Sequence, residues 1–111
     1  LIDLAPGILV WIRPGAAMGR EQSGRRPALV VAGEDYLNAV ASLALVVPLT
    51  TVDRGWPNHV SVAGGALHSE SWAMTEQLRA ISRERIVAEA GVANDETLAA
   101  VRVWLRDHLE L

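Results

Sequence analysis

The chain has no cysteine, no phenylalanine and a single tyrosine in 111 residues. Without cysteine there are no disulfides and no thiolate metal sites, a composition that fits a reducing cytosol. Stability must come from packing, helped by association. Lysine is absent as well, so all ten basic residues are arginine, which a GC-rich base composition mostly accounts for. No internal repeat is visible. The longest apolar run, from Ala39 to Leu49 and broken only by Ser42, is too short to cross a bilayer. Leu1-Ile2-Asp3-Leu4-Ala5-Pro6 offers neither a basic leader nor an apolar core before a cleavage site, so a cytoplasmic protein is expected. His59, His68 and His108 are scattered, with no metal-ligand spacing. Surface or capping roles are expected of them, with no metal and no cofactor.

What is present suffices for one small domain spanning 1–111, since half of the residues are hydrophobic. The formal net charge of −3 argues weakly against general nucleic-acid binding, but its placement matters more than its sum. Arg13, Arg20, Arg25 and Arg26 gather in the first third against Asp3 and Glu21, while the segment after Glu84 is net acidic. The central stretch is Gly19-Arg20-Glu21-Gln22-Ser23-Gly24-Arg25-Arg26-Pro27-Ala28-Leu29-Val30-Val31, a polar glycine-bounded loop that ends in an apolar run. Pro27 pushes Arg26 towards an extended conformation, and Ala28–Val31 reads as a strand buried on both faces. Arg26 is thereby set on a rigid base at a strand mouth.

Read in order, Ile8–Ile12 is a first strand, closed by Pro14-Gly15. The segment 32–38 suits a single helical turn, and 42–49 is a third apolar strand with Pro48 at its edge or end. A loop at 53–58 carries Trp56 in a Gly-Trp-Pro tip, free to stack on a nucleobase, and His59–Val62 alternates as a half-exposed strand. After Gly64-Gly65, Ser71–Ile81 alternates apolar with polar and predicts one strand. Ser82 can cap a short turn before an edge strand at 86–90. Asn94 opens a helix whose Leu98, Val101, Leu105 and Leu109 form an apolar stripe. Trp11, Trp72 and Trp104 are expected in core or dimer packing. The expected fold is mainly β or α+β: a small, strongly curved antiparallel barrel with a C-terminal helix.

The loop motif Gly-x-Glu-Gln-x-Gly-x-Arg-Pro-x-Leu-Val-Val, followed by Val46-Val47-Pro48-Leu49-Thr50-Thr51, resembles the MazF/PemK/Kid toxins, the mRNA interferases of bacterial toxin–antitoxin pairs. The resemblance covers nearly the whole chain. It implies an SH3-like barrel, a homodimer, and a sequence-specific, metal-independent endoribonuclease of single-stranded RNA held in check by a cognate MazE-like antitoxin. It matches Arg26 and Thr50 to the family's catalytic arginine and threonine. It places Arg20, Glu21, Gln22, Arg25, Thr51, Glu76 and Gln77 on the RNA-binding surface.

The chemistry suits these residue types. RNA carries its own nucleophile in the 2′-hydroxyl, so a ribonuclease must align it, neutralise charge on the phosphoryl oxygens and manage two protons. Arg26 supplies a planar fork, and Thr50 supplies a neutral hydroxyl donor. Glu21 is open to three roles: accepting the 2′-hydroxyl proton, binding a base edge, or bracing an arginine. One departure stands out. Where the family carries an aspartate near the end of the first strand and an Asp-Pro soon after, this chain has Arg13-Pro14-Gly15-Ala16, which adds positive charge beside the site. A non-enzymatic CcdB-like barrel toxin and an inactive paralogue acting by protein binding are the alternatives.

Overall fold

Strands β1 (Ile8–Ile12), β2 (Arg26–Val30) and β3 (Leu43–Thr50) form an antiparallel core, as their near-continuous apolar runs predict. The computed structural model describes residues 2–14 and 24–111. Alternation divides each strand between two cores. Val10, Ile12, Ala28, Val30, Ala44 and Val46 face one, together with Leu37 of α1 (Glu34–Ala39). Leu9, Leu29, Val47 and Leu49 face the other, with Leu98, Val101 and Leu105 of α2 (Asp95–Leu109) packed against them. Both faces of the central strands are therefore covered. The expected single helical turn after β2 is the six-residue α1.

The remaining strands are β4 (His59–Ser61), β5 (Trp72–Met74), β6 (Arg79–Ser82) and β7 (Ile86–Val92), in the order β4-β5-β3-β2-β1-β7 with β6 paired to β3. Strand β3 changes partner along one edge, pairing with β6 up to Val46 and with β5 from Leu49. Pro48, which has no N–H to donate, lies in the interval between the two. This corrects the expectation of one strand over Ser71–Ile81. A 3-10 turn at Thr75–Gln77 divides it, so Glu76 and Gln77 sit on a turn rather than on a strand.

The sheet bends like a barrel but does not close into a continuous ladder. Closure is left to the chain after β4, where Gly64 bridges Ala93, the Ala66 N–H donates to the Ala90 carbonyl at 2.8 Å, and the Asn94 N–H donates to the Ala63 carbonyl at 2.9 Å. The approach is possible because no side chains intervene. A Cβ on Gly91 would stand 2.6 Å from the Gly65 Cα, and Gly91 also has φ +97°. The terminal helix begins as its sequence predicts, with the Asn94 side chain accepting the Thr97 N–H at 3.1 Å. Its stripe stops short. Leu109 is exposed, since the last turn runs past the sheet.

Candidate active site

The β-ladder registers build the site from the backbone outwards. Pairs Ala28↔Pro48, Leu29↔Val47 and Val30↔Val46 fix the register of β2 against β3, and the same register continued two residues past Ala28↔Pro48 brings the positions of Arg26 and Thr50 opposite one another. Directly opposed residues stand about 5 Å apart at Cβ and share a face. The row extends both ways through Ile12↔Arg26 and Ile12↔Ile86, and through Thr50↔Trp72 and Ser61↔Trp72. Arg26, Thr50 and Trp72 thus occupy neighbouring places on three adjacent strands, although their sequence separations give no hint of it.

Arg26 is exposed at the start of β2, directly after Arg25 and Gly24, whose φ of +90° is left-handed. Thr50 is half-buried. Its Oγ1 accepts the Val52 N–H at 3.1 Å, which fixes the hydroxyl at the strand end while its own proton stays available to donate. The loop continues in an Asx turn, with Asp53 accepting the Gly55 N–H at 3.0 Å. Thr51 is exposed beside it. Arg25 alternates away from Arg26, and its guanidinium carbon lies 5.4 Å from the centre of the Trp11 ring. Trp11 in turn stacks on His68 with centroids 5.5 Å apart. Arg20, Glu21 and Gln22 lie outside the described residues.

Glu76 and Gln77 lie on the 3-10 turn that directly follows β5, the strand paired with Thr50, and other side chains hold that turn in place. His59 Nε2 lies 3.0 and 3.1 Å from the two Glu76 carboxylate oxygens, and the Asn58 amide donates to Oε1 at 2.9 Å. Thr75 Oγ1 donates to the Asn58 carbonyl at 2.7 Å. That hydroxyl has spent its proton, so His108 Nε2 at 3.0 Å is the donor to it. Burial alone would raise the Glu76 pKa, but the bonds from His59, its own backbone and Asn58 outweigh it and hold the carboxyl below its ordinary value. Gln77 donates to the Met74 sulfur and accepts from Arg79 at 3.3 Å.

His59 therefore departs from the surface or capping role expected of it, whereas His68 and His108 are exposed. His59 is buried, and its Nδ1 has no hydrogen-bond partner among the described residues. Trp56 covers it with ring centroids 4.7 Å apart, so part of the aromatic surface expected to meet a base is already used. Of the core and dimer roles expected of Trp72, the core role falls away. Trp72 is half-buried and belongs to neither hydrophobic core, so it is not a core tryptophan but an indole beside Thr50. Periodicity could not reveal this, because the signal is a register between strands distant in sequence.

Known proteins resemble this chain in sequence and in fold. A family model described as the PemK-like, MazF-like toxin of type II toxin–antitoxin systems matches residues 5–109. The chain is 31% identical over 97 residues to the endoribonuclease toxin MazF of Escherichia coli, covering 86% of this chain and 85% of that one. It is 33% identical over 103 residues to endoribonuclease MazF9 of Mycobacterium tuberculosis, covering 86% of each. The structure superposes on a MazE–MazF crystal structure from Deinococcus radiodurans with a TM-score of 0.82 at 31% identity, over 97% of this chain and 96% of that one.

Proposed function

The chain belongs to the PemK-like, MazF-like toxins of type II toxin–antitoxin systems, and from that membership we propose that it is a cytoplasmic endoribonuclease that cuts single-stranded RNA at the Arg26–Thr50 pair. The observation that supports this reading is the β2–β3 register: continued two residues past Ala28↔Pro48, it brings the positions of a permanently charged fork and a strand-end hydroxyl opposite one another. In the reaction the 2′-hydroxyl oxygen bonds to phosphorus and loses its proton, and the bond from phosphorus to the 5′ oxygen breaks. That oxygen takes up a proton and leaves as a 5′-hydroxyl, and the upstream fragment ends in a 2′,3′-cyclic phosphate. Arg26 stabilises charge on the phosphoryl oxygens, and the Thr50 O–H donates to one of them. Trp72, next in the row, offers an aromatic face to a base beside the cut.

Arg25 and Thr51 border the pair and contact the strand; Arg20, Glu21 and Gln22 belong to the same loop. Glu76 and Gln77 keep a base-reading role only for the edges that their internal bonds leave exposed. The protein acts as a homodimer. Crystal structures of relatives contain MazE together with MazF, and the corresponding partner here is a small antitoxin whose acidic segment competes for the arginines. No metal is needed, because the substrate supplies the nucleophile. Incubation with a mixed RNA pool followed by sequencing of the new ends tests the assignment. Cutting should persist in excess chelator and stop when a single 2′-deoxy nucleotide precedes the scissile phosphate. Normal cutting of the deoxy substrate, or arrest by chelator, would replace this mechanism with attack by water.

A further inference from the structure

One residue beyond the Arg26 row lies a second row made of arginines. The β1–β2 register that pairs Ile12 with Arg26 brings Arg13 opposite Arg25 at the next step. The β1–β7 register that pairs Ile12 with Ile86 brings Arg13 opposite Arg85, and there the Arg13 N–H donates to the Arg85 carbonyl at 2.8 Å. Arg25 just before β2, Arg13 just after β1 and Arg85 at the end of the 3-10 turn that leads into β7 thus lie side by side where three neighbouring strands, spaced about 4.8 Å apart, begin or end. Like charges directly opposite one another destabilise a ladder. A bound anion would relieve that repulsion.

The side chains are held without being neutralised. Arg85 Nε donates to the Arg13 carbonyl at 3.0 Å, Arg13 Nη2 donates to the Glu84 carbonyl at 3.2 Å, and Arg25 rests over Trp11. Each contact uses a small part of a guanidinium that has five N–H donors. Among the described residues the one ion pair is His59 with Glu76, so none of these engages Arg13, Arg25 or Arg85 in an ion pair. Arg83 shows the contrast. It spends its donors on the Leu37, Val40 and Leu43 carbonyls and serves as an internal brace.

We propose that Arg13 and Arg85, with Arg25, form a phosphate-binding rail that carries the RNA backbone past the Arg26–Thr50 centre. The proposal rests on the RNA-cleaving reading for the identity of its anion. A planar fork suits a phosphodiester oxygen pair, and fixed spacing across strands suits a ligand with repeated charges. Proximity to Arg26 favours RNA over an acidic peptide as the occupant. The rail sets affinity and its salt dependence, whereas Arg26 and Thr50 act on the bond that breaks.

The test measures binding of the full chain to short mixed-sequence single-stranded RNA with every 2′-hydroxyl methylated, over a range of salt concentrations. Arg13→Gln and Arg85→Gln should each reduce the slope of log affinity against log salt by about 0.7, and the double variant by about twice that. Arg13→Lys and Arg85→Lys should retain the slope. Melting temperature reports whether each variant folds, and the lysine variants keep the charge test informative if a glutamine variant does not. Unchanged slopes in folded glutamine variants would overturn the rail, as would absence of binding by the unaltered chain. Loss of binding to a polyglutamate peptide with an unchanged RNA slope would reassign the row to a protein partner. If the unaltered chain leaves a mixed RNA pool uncut, yet the variants lose slope on methylated RNA, the nuclease reading fails and the rail stands.

Discussion

In the proposed reaction Arg26 and Trp72 have different parts, and substitution should separate them. Arg26→Lys keeps a charge but loses the planar fork, so cleavage should fall by roughly a hundredfold or more in kcat with the melting temperature little changed. Single-turnover kinetics on saturating RNA checks this, and near-normal turnover would remove Arg26 from catalysis. Trp72→Ala deletes a stacking surface worth about 1–3 kcal/mol per base, so KM should rise about tenfold or more while kcat at saturation stays close to that of the unaltered chain. An equal fall in kcat would mean that Trp72 holds Thr50 in place rather than holding RNA. The two residues also differ in legibility. Arg26 is readable because its loop, its proline and its buried strand are contiguous, whereas the place of Trp72 depends on a register between β3 and β5.

Local pattern told most where an element is held by its own neighbours. The runs at Ile8–Ile12 and Ala28–Val31 are near-continuously apolar because helices and loops cover both faces, and the Asn94 cap is contiguous with the helix it starts. The Thr75–Gln77 turn is the opposite case. Its sequence continues the alternation of a strand, and what divides it is a set of bonds from Asn58, His59 and His108 that no local window contains. Its pH behaviour follows from those bonds. A carboxyl whose folded pKa lies below the unfolded value of 4.5 stabilises the fold fully above that pH and loses its contribution as pH falls through the folded value. Melting temperature should therefore drop more between about pH 5 and pH 3 for the unaltered chain than for Glu76→Gln; equal drops would mean that the pair contributes nothing. At the other end of the sheet, Gly91→Ala combines a left-handed φ with a backbone contact of 2.6 Å. It should cost more than about 2 kcal/mol, read by urea denaturation, and a loss below half that would show the closing segment to be adaptable.

The charge of the whole molecule is divided rather than uniform. Arg13, Arg25, Arg26 and Arg85 meet at one end of the sheet, although the chain carries a net charge of −3. On the proposed reading, one copy presents one short rail and one cutting centre, which suits a brief encounter with RNA more than retention of a strand. Apolar surface points to a second copy. Val87 and Val92 on β7, and Val103, Leu109 and Leu111 at the terminal helix and just beyond it, are all more than 40% exposed, more than isolated surface residues require in so small a chain. A two-fold dimer would cover such a surface with its own equivalent and align two arginine rows for one strand, raising affinity through effective concentration without any new contact. Sedimentation at micromolar concentration should therefore give twice the mass of the chain, and the melting temperature should rise with protein concentration, as it does when folding and association are linked. A monomer that melts independently of concentration and still cuts RNA at full rate would refute the dimer and return the exposed valines and leucines to ordinary surface.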